Sequence, residues 1–124
     1  MQTERKATPG AIPVATEAPV IIIGAGPAGL SLGYELKRLG IRSLILEKGP
    51  GVASSFRGMY KSIFFGPWVN NMLWGSPVPW HRWFRRTRRD DWVAYLSDFA
   101  EDHELVVRAG VTVQRVRREE AFVV

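Results

Sequence analysis

Cysteine is absent from the 124 residues of this sequence. Its absence excludes disulfide bonds, thiolate metal sites and cysteine nucleophiles within the chain. Histidine is scarce as well, with two residues, so we expect no metal site. No apolar run, Val20–Ile23 included, approaches the roughly 20 residues that a membrane-spanning helix needs. The first 18 residues also lack the apolar segment of a secretory signal, and we therefore expect a cytoplasmic protein.

The composition that is present suits one globular domain, with 46% hydrophobic and 23% charged residues. Positive charge is concentrated in residues 60–89, which carry six basic residues and no acidic one. We call five of these the arginine block: Arg82, Arg85, Arg86, Arg88 and Arg89. Arginines near tryptophans can bind single-stranded nucleic acid, lie over aromatic faces or meet the phosphates of a small ligand. Since no nucleic-acid-binding motif accompanies the block, we expect no nucleic-acid partner.

A strand, a helix and a second strand are predicted after a flexible leader over residues 1–18. Val20–Ile23 is β-branched throughout and is followed at once by glycine, as in strands buried on both faces of a parallel sheet. The helix is expected to begin near Pro27, which is tolerated in a first turn, and to stop at Gly40. Ser43–Leu46 forms the second strand. This order predicts an α/β fold with a parallel sheet.

The second half of the chain has a weaker pattern. Between Lys48 and Arg86 we expect mainly loops with short helical turns, because glycine, proline and tryptophan interrupt any regular spacing. Thr87–Asp90 has the form of a capping box, and a helix is predicted from there to near His103. That helix places Trp92, Leu96 and Phe99 on one face. Further strands are predicted at Leu105–Arg108, at Val111–Val116 and from Phe122 onwards.

The residues that indicate a function are Gly24-Ala25-Gly26-Pro27-Ala28-Gly29, a G-x-G-x-x-G motif. The motif follows the first strand and opens the first helix within a βαβ unit, which is the setting of a dinucleotide-binding turn. Gly24 allows the tight turn, Gly26 allows the backbone to approach a diphosphate, and Gly29 allows close packing of helix on strand. The amino end of the helix offers N–H groups to the anion.

An acidic residue, Glu47, ends the second strand 23 residues after Gly24. A carboxylate at this place can accept hydrogen bonds from the hydroxyls of an adenosine ribose. It would repel a 2′-phosphate, so the site is predicted not to prefer a 2′-phosphorylated nucleotide. The alternative is a glycine-rich turn beside a surface glutamate, which would require the strand, glycines, helix and acid to coincide by chance.

The segments VIIIGAGPAG and LILEKG resemble the amino-terminal FAD-binding segment of two-dinucleotide flavoproteins. Within that class the sequence is most similar to flavin-containing monooxygenases and their bacterial relatives. Met59–Phe64 resembles the tyrosine-lysine-serine-valine-phenylalanine run of that family, and Pro77–Pro79 resembles its later proline-rich segment. Thr87–Ala100 resembles the helix before the family's third strand. The resemblance covers residues 20–124 and implies a Rossmann-like FAD/NAD(P)-binding fold with a parallel sheet.

The resemblance also implies roles for individual residues. It places the glycines at the FAD diphosphate, Glu47 at the ribose, and the backbone of Val113 at the adenine. The full set of cofactor-binding residues that it predicts is Gly24, Gly26, Pro27, Ala28, Gly29, Glu47, Lys48, Ser54, Phe56, Arg57 and Val113. Two positions depart from the family: Phe56 replaces a common tryptophan, and Gly66 stands where the family has an asparagine near the flavin. Asn70 or Asn71 takes that place if the register shifts. No catalytic residue is identified.

The function predicted from the resemblance is that of an FAD-dependent oxidoreductase, specifically an NAD(P)H-dependent flavoprotein monooxygenase acting on a small molecule such as a soft nucleophile or ketone. Alternatives are a flavin-dependent reductase or dehydrogenase of the same fold, or a nucleotide-binding module without catalysis. The sequence has no second G-x-G-x-x-G for NADPH. Residues 19–124 are therefore predicted to be an incomplete, amino-terminal part of an FAD-binding domain, with the NADPH-binding region absent from this chain.

Overall fold

The computed structural model of the chain describes residues 18–118 and, for the backbone, residues 122–123. The predicted leader lies outside the described residues except for Ala18. The described elements are β1 (Val20–Ile23), α1 (Pro27–Arg38), β2 (Ser43–Glu47), α2 (Ser54–Arg57), β3 (Phe64–Pro67), α3 (Trp68–Asn71), a 3-10 turn (Trp80–Arg82), β4 (Arg86–Arg88), α4 (Arg89–Asp102), β5 (Val107–Ala109), β6 (Arg117–Arg118) and β7 (Phe122–Val123).

A three-stranded parallel sheet in the order β1-β2-β5 forms the framework. Strand β2 is central, and its residues Leu44, Ile45 and Leu46 are all buried. Ile45 pairs with Ile22 of β1 on one side and with Val107 of β5 on the other. The apolar run of β2 is thus explained by burial on both faces, and the predicted α/β fold with a parallel sheet is confirmed.

The burial on both faces predicted for Val20–Ile23 is wrong. Strand β1 lies at the edge of the described sheet, where Ile22 is buried and Ile23 is exposed.

Helix α1 connects β1 to β2 and has the predicted ends. Pro27 occupies its first turn, and Gly40 follows its carboxyl end with φ +75°, a left-handed conformation that glycine adopts without strain. Gly33 is buried on the face toward the sheet, where an added Cβ would lie 3.2 Å from Cδ1 of Ile45. The missing side chain therefore allows α1 to pack closely on β2.

Helix α4 supplies most of the remaining core. Trp92, Leu96 and Phe99 are buried, as their spacing predicts. Trp92 contacts the rings of Phe56, Phe65, Trp68 and Tyr95, with ring centroids between 5.7 and 6.4 Å apart. An aromatic cluster therefore joins α4 to the irregular segment that precedes it.

The predicted capping box at Thr87–Asp90 is wrong. The N-cap of α4 is Arg88, and no side chain caps the helix. Thr87 instead lies in β4, fully buried, and its hydroxyl donates a hydrogen bond to the Gly66 carbonyl at 2.9 Å. Pairing with β3 holds residues 86–88 extended, so the hydroxyl is oriented away from the helix end.

The segment between Lys48 and Arg86 contains more order than its sequence indicates. Strands β3 and β4 form a two-stranded antiparallel sheet with an irregular step between Phe65 and Pro67. Guanidinium groups of the arginine block lie over aromatic rings here: Arg82 over Trp68 at 5.2 Å, and Arg86 over Phe64 at 5.3 Å. These contacts are cation–π arrangements, one of the possibilities that the sequence leaves open for the block.

The carboxyl-terminal part departs from prediction in two places. The third parallel strand is Val107–Ala109 rather than Leu105–Arg108. The strand predicted at Val111–Val116 is wrong, because these residues join no sheet; Val111 and Val113 pack against Leu44 and Leu46 instead. Their alternating pattern reflects one-sided contact with the sheet. The strand predicted from Phe122 is found at Phe122–Val123, where it pairs antiparallel with β6.

Candidate functional site

The glycine-rich turn lies at the carboxyl end of β1, where the chain passes into α1. Gly24 has φ +105°, which a residue with a side chain rarely adopts, and its N–H donates a hydrogen bond to the Leu46 carbonyl at 2.8 Å. Ala25 follows, fully buried, and Gly26 is the N-cap of α1. The turn therefore leads directly into a helix amino terminus, where the first N–H groups have no intrahelical partner.

Two glycines of the turn have different neighbours. A Cβ added at Gly26 would meet no atom within 4 Å, so the backbone here faces open space. A Cβ added at Gly29 would collide with the carbonyl oxygen of Gly24 and would lie 3.3 Å from Cγ2 of Ile22. Gly26 thus leaves room for a ligand to approach the backbone, whereas Gly29 permits the helix to pack on β1. The close contact at Gly29 agrees with its predicted packing role, while the role of Gly26 toward a diphosphate stays a prediction.

Glu47 lies beside this turn, at the carboxyl end of β2. The parallel pairing of Ile23 with Leu46 brings the ends of the two strands together. The Ala25 N–H donates a hydrogen bond to Oε1 of Glu47 at 2.8 Å, and the Gly49 N–H donates to Oε2 at 2.8 Å. Sequence reasoning predicted the position of the carboxylate but missed its two bonds to the backbone, since they depend on the path of a loop of irregular sequence.

The loop after β2 folds back onto the turn. Ala53 is buried in the left-handed conformation, with φ +63°, and its N–H donates to the Ala25 carbonyl at 3.0 Å. The Ser54 hydroxyl donates to the Gly51 carbonyl at 2.5 Å. Ser54 therefore follows a residue that is bonded to the turn, and its hydroxyl helps to hold the loop; its contact with a cofactor stays a prediction.

Two further predicted residues contact α4. The ring of Phe56 lies 5.5 Å from that of Phe65 and 6.0 Å from that of Trp92. Arg57 donates from Nε to the Val52 carbonyl at 3.0 Å and from Nη2 to the Ser97 hydroxyl at 3.2 Å. These contacts connect α2 to β3, to α4 and to the preceding loop.

The remaining predicted residues surround the turn and the edge of the sheet. Pro27 is half-buried, while Ala28 and Lys48 are exposed. The segment leading to Val113 follows the same edge, because the Val111 N–H donates to the Glu47 carbonyl at 3.0 Å. The structure thus brings the glycine turn, Glu47 and Ser54 together, with Val113 two residues from a direct contact with Glu47.

Asn71 lies beside Gly66, the position where the sequence departs from its resemblance. Its Nδ2 donates to the Gly66 carbonyl and to the Thr87 hydroxyl, each at 3.0 Å. The amide therefore helps to hold the irregular step between β3 and β4. Asn70 is exposed on the adjoining helix.

Two other features, a metal-binding cluster and a membrane-spanning helix, are not found in the part of the chain that the structure describes. Within residues 18–118, no group of three or more histidine or acidic side chains is placed to hold a metal ion. None of the helices described there is both long enough and apolar enough to cross a membrane.

Comparisons with known proteins agree with this geometry. A family model described as pyridine nucleotide-disulphide oxidoreductase matches residues 21–124. An uncharacterized CzcO-like oxidoreductase from Geobacillus kaustophilus is 30% identical over 107 residues, which are 82% of this chain and 29% of that relative.

Solved structures show the same partial correspondence. The bacillithiol disulfide reductase Bdr (YpdA) from Staphylococcus aureus superposes with a TM-score of 0.74 at 30% identity, over 85% of this chain and 32% of that one. A flavin-containing monooxygenase from Stenotrophomonas maltophilia superposes with a TM-score of 0.72 at 30% identity, over 81% of this chain and 30% of that one. The chain thus spans about a third of the length of these proteins.

Proposed function

The chain belongs to the pyridine nucleotide-disulphide oxidoreductase family of FAD-dependent enzymes, and on that premise we propose that it forms the FAD-binding part of an NAD(P)H-dependent flavoprotein monooxygenase. The observation that carries the proposal is the open glycine turn at Gly26 beside the carboxylate of Glu47. The nicotinamide nucleotide would bind through a region outside this chain. Residues 19–124 would then be the amino-terminal portion of a longer FAD-binding domain.

The residues of the turn fit the diphosphate of FAD. The amino end of α1 offers N–H groups and the positive end of the helix dipole to an anion. The absence of a side chain at Gly26 leaves that approach open. These two features together support a diphosphate site at Gly24–Gly29.

Glu47 fits the ribose of the same cofactor. Each of its carboxylate oxygens accepts one N–H from the backbone and retains a lone pair for a hydroxyl. Lys48, Ser54, Phe56, Arg57 and Val113 remain proposed cofactor neighbours on the strength of the resemblance.

FAD supplies the redox chemistry of such an enzyme when it is bound. This chain would bind the adenosine diphosphate half, orient the cofactor and exclude water through the packed sheet and α1. No described side chain is assigned as an acid, base or nucleophile. A small-molecule substrate, such as a soft nucleophile or a ketone, and a cytoplasmic location are parts of the same proposal.

A second candidate is a flavin-dependent reductase, which the similarity to a bacillithiol disulfide reductase favours. The chain contains no cysteine, so a thiol relay through a cysteine of these 124 residues is excluded. A reductase would have to pass electrons to its substrate from the flavin or through residues outside this chain. A nucleotide-binding module without catalysis is the third alternative.

The proposal is tested by titrating the purified chain with FAD and following flavin fluorescence. We expect saturable binding that Gly26→Val abolishes, because the new side chain would fill the space through which the diphosphate approaches. Gly58→Val is the matched control, since Gly58 is exposed, has φ −82° and a Cβ there would meet only the Ser55 carbonyl, at 3.9 Å. FAD binding by Gly26→Val equal to that of Gly58→Val would contradict the assignment.

Chemistry is tested separately on a longer protein that contains this chain and a nicotinamide-binding region. A monooxygenase would consume NADPH and O₂ and yield oxygenated product. Consumption of NADPH with hydrogen peroxide or a reduced disulfide as the only product would favour the reductase alternative.

A further inference from the structure

The carboxylate of Glu47 is bound on both oxygens by the protein itself. Oε1 accepts from the Ala25 N–H and Oε2 accepts from the Gly49 N–H, each at 2.8 Å. We call this arrangement the carboxylate bridge. It connects two segments that are 24 residues apart in sequence: the middle of the glycine turn and the start of the loop after β2.

The bridge belongs to a wider set of bonds around Ala25. The Ala25 carbonyl accepts from the Ala53 N–H at 3.0 Å, so the N–H of Ala25 is held by the last residue of β2 and its carbonyl by the loop after β2. The Glu47 carbonyl accepts from the Val111 N–H, and the Gly49 carbonyl accepts from the Gly110 N–H at 2.9 Å. Three loops at the carboxyl edge of the sheet are therefore tied together through Glu47 and its neighbours.

The position of the bridge gives it an effect on ligand binding. Hydrogen bonds to an ionised carboxylate are shorter and stronger than those between neutral groups. Here they constrain a segment that contains two glycines, Gly24 and Gly26, which have the greatest conformational freedom of any residues. A site that is held in its binding shape before the ligand arrives loses less entropy on binding.

We propose that Glu47 is a positioning residue that preorganises the glycine turn, in addition to any contact with a ribose. The bridge holds the Ala25 N–H on the Glu47 side of the turn and keeps the backbone at Gly26 facing open space. The effect of the bridge on ligand binding rests on the proposed nucleotide-binding function. The effect of the bridge on the shape of the turn in the ligand-free protein does not depend on that function.

The bridge has a chemical requirement that few side chains meet. Glutamine at position 47 would present one carbonyl and one amide NH₂, so one of the two backbone N–H groups would face a donor. Aspartate would retain the charge, but it is one methylene shorter and would not reach both N–H groups from the same backbone position. Both substitutions therefore break the bridge while changing the side chain little.

The first test is hydrogen exchange in the ligand-free protein, followed by NMR at single amides. We expect the amides of Ala25 and Gly49 to be protected in the unaltered chain, and at least one to exchange about tenfold faster in Glu47→Gln. The amide protons of both residues should also change chemical shift. Glu35→Gln is the matched control, because Glu35 pairs with Arg38 on the exposed face of α1. The sheet amide of Ile45, which donates to the Val106 carbonyl, serves as the internal reference.

The second test separates positioning from ribose contact. The affinities of the unaltered chain and of Glu47→Asp are compared for ADP and for 2′,3′-dideoxy-ADP, which lacks the ribose hydroxyls. If Glu47 acts only on the ribose, Glu47→Asp and the unaltered chain bind the dideoxy nucleotide with equal affinity. If Glu47 also preorganises the turn, Glu47→Asp binds the dideoxy nucleotide about fivefold or more weakly, because the diphosphate then meets a less ordered backbone.

The outcomes are distinguishable from those of the proposed function. Failure of the unaltered chain to bind ADP or FAD would overturn the nucleotide site, while protected Ala25 and Gly49 amides would still support the bridge. Unprotected Ala25 and Gly49 amides in the unaltered chain would overturn the bridge whatever the chain binds, even if a Glu47 variant fails to fold. An unchanged affinity of Glu47→Asp for the dideoxy nucleotide would also contradict positioning.

Discussion

At the scale of single residues, the glycines of the turn illustrate that one residue type serves two purposes within six positions. Gly26 faces open space, while the space at Gly29 is occupied by the Gly24 carbonyl and Ile22. The missing side chain should therefore matter for ligand binding at Gly26 and for folding at Gly29. This difference can be measured with the same small substitution at each position.

We expect Gly29→Ala to lower the free energy of unfolding by about 1–3 kcal/mol, the range for forcing extra volume into a packed site. The methyl group would displace α1 from β1. Gly26→Ala should leave the unfolding free energy within about 0.5 kcal/mol of that of the unaltered chain, as is usual for substitutions without steric conflict. Urea unfolding of both variants checks the difference, and equal destabilisation would contradict it.

At the scale of elements, the small β3–β4 sheet depends on buried polar groups that could not be predicted from its sequence. Thr87 is fully buried, and its hydroxyl both donates to the Gly66 carbonyl and accepts from Asn71. A similar device anchors α4, where the Tyr95 hydroxyl donates to the Ser76 carbonyl at 2.6 Å and accepts from the Leu73 N–H at 2.7 Å. Each bond connects a regular element to the irregular segment.

Replacing Thr87 by valine should cost about 1–3 kcal/mol of unfolding free energy, because two partly buried hydrogen bonds of the hydroxyl, to the Gly66 carbonyl and from the Asn71 amide, are lost. The shape of the side chain is conserved, so packing alone predicts little change. Thr112→Val is the control, since Thr112 is exposed. Thermal or chemical denaturation measures the effect, and similar unfolding free energies for the two variants would refute the role of the hydroxyl.

Tyr95 predicts a dependence of stability on alkaline pH. Burial raises the pKa of its phenol above the ordinary 10.0, so the folded state favours the neutral form. The stabilisation is complete below pH 10 and is lost as the pH rises through the folded-state pKa. The unfolding free energy of Tyr95→Phe, measured between pH 9 and pH 11, should not show this decrease with rising pH. Tyr60→Phe should retain it, because Tyr60 is 80% exposed.

At the scale of the whole molecule, the comparisons give the chain its family, and the described residues contain the complete turn and its supporting loop. The chain spans about a third of the solved relatives, so its behaviour with FAD tests how much of the site resides in it. A ligand that binds the folded state and not the unfolded state raises the apparent stability of the protein by mass action.

We therefore expect FAD at 100 times its dissociation constant to raise the unfolding free energy of the chain by about 2.7 kcal/mol. The melting temperature should rise with FAD concentration, and Gly26→Val should show no such rise. A melting temperature of the unaltered chain that is independent of FAD would contradict the proposal that these residues hold the cofactor.

The βαβ unit could be predicted from sequence because its signals are local. Val20–Ile23, the helix from Pro27 and the strand that ends at Glu47 each show their structure in residue spacing and end residues, and the structure has all three. The packing role of Gly29 followed from the same local geometry. Hydrophobic periodicity likewise identified the buried face of α4 at Trp92, Leu96 and Phe99.

What the sequence concealed depends on partners that are distant along the chain. The threonine of the apparent capping box binds Gly66, the alternating run at Val111–Val116 packs on one face of the sheet without joining it, and β3 and β4 form through mutual pairing. One amide that holds Glu47 belongs to Ala25, 22 residues before it, and the other belongs to Gly49, two residues after it, where the turn that follows β2 places it. Local spacing thus accounts for the glycine turn and the acid beside it, whereas the hydrogen bonds that hold them in one shape arise only when the folded chain brings separate loops together.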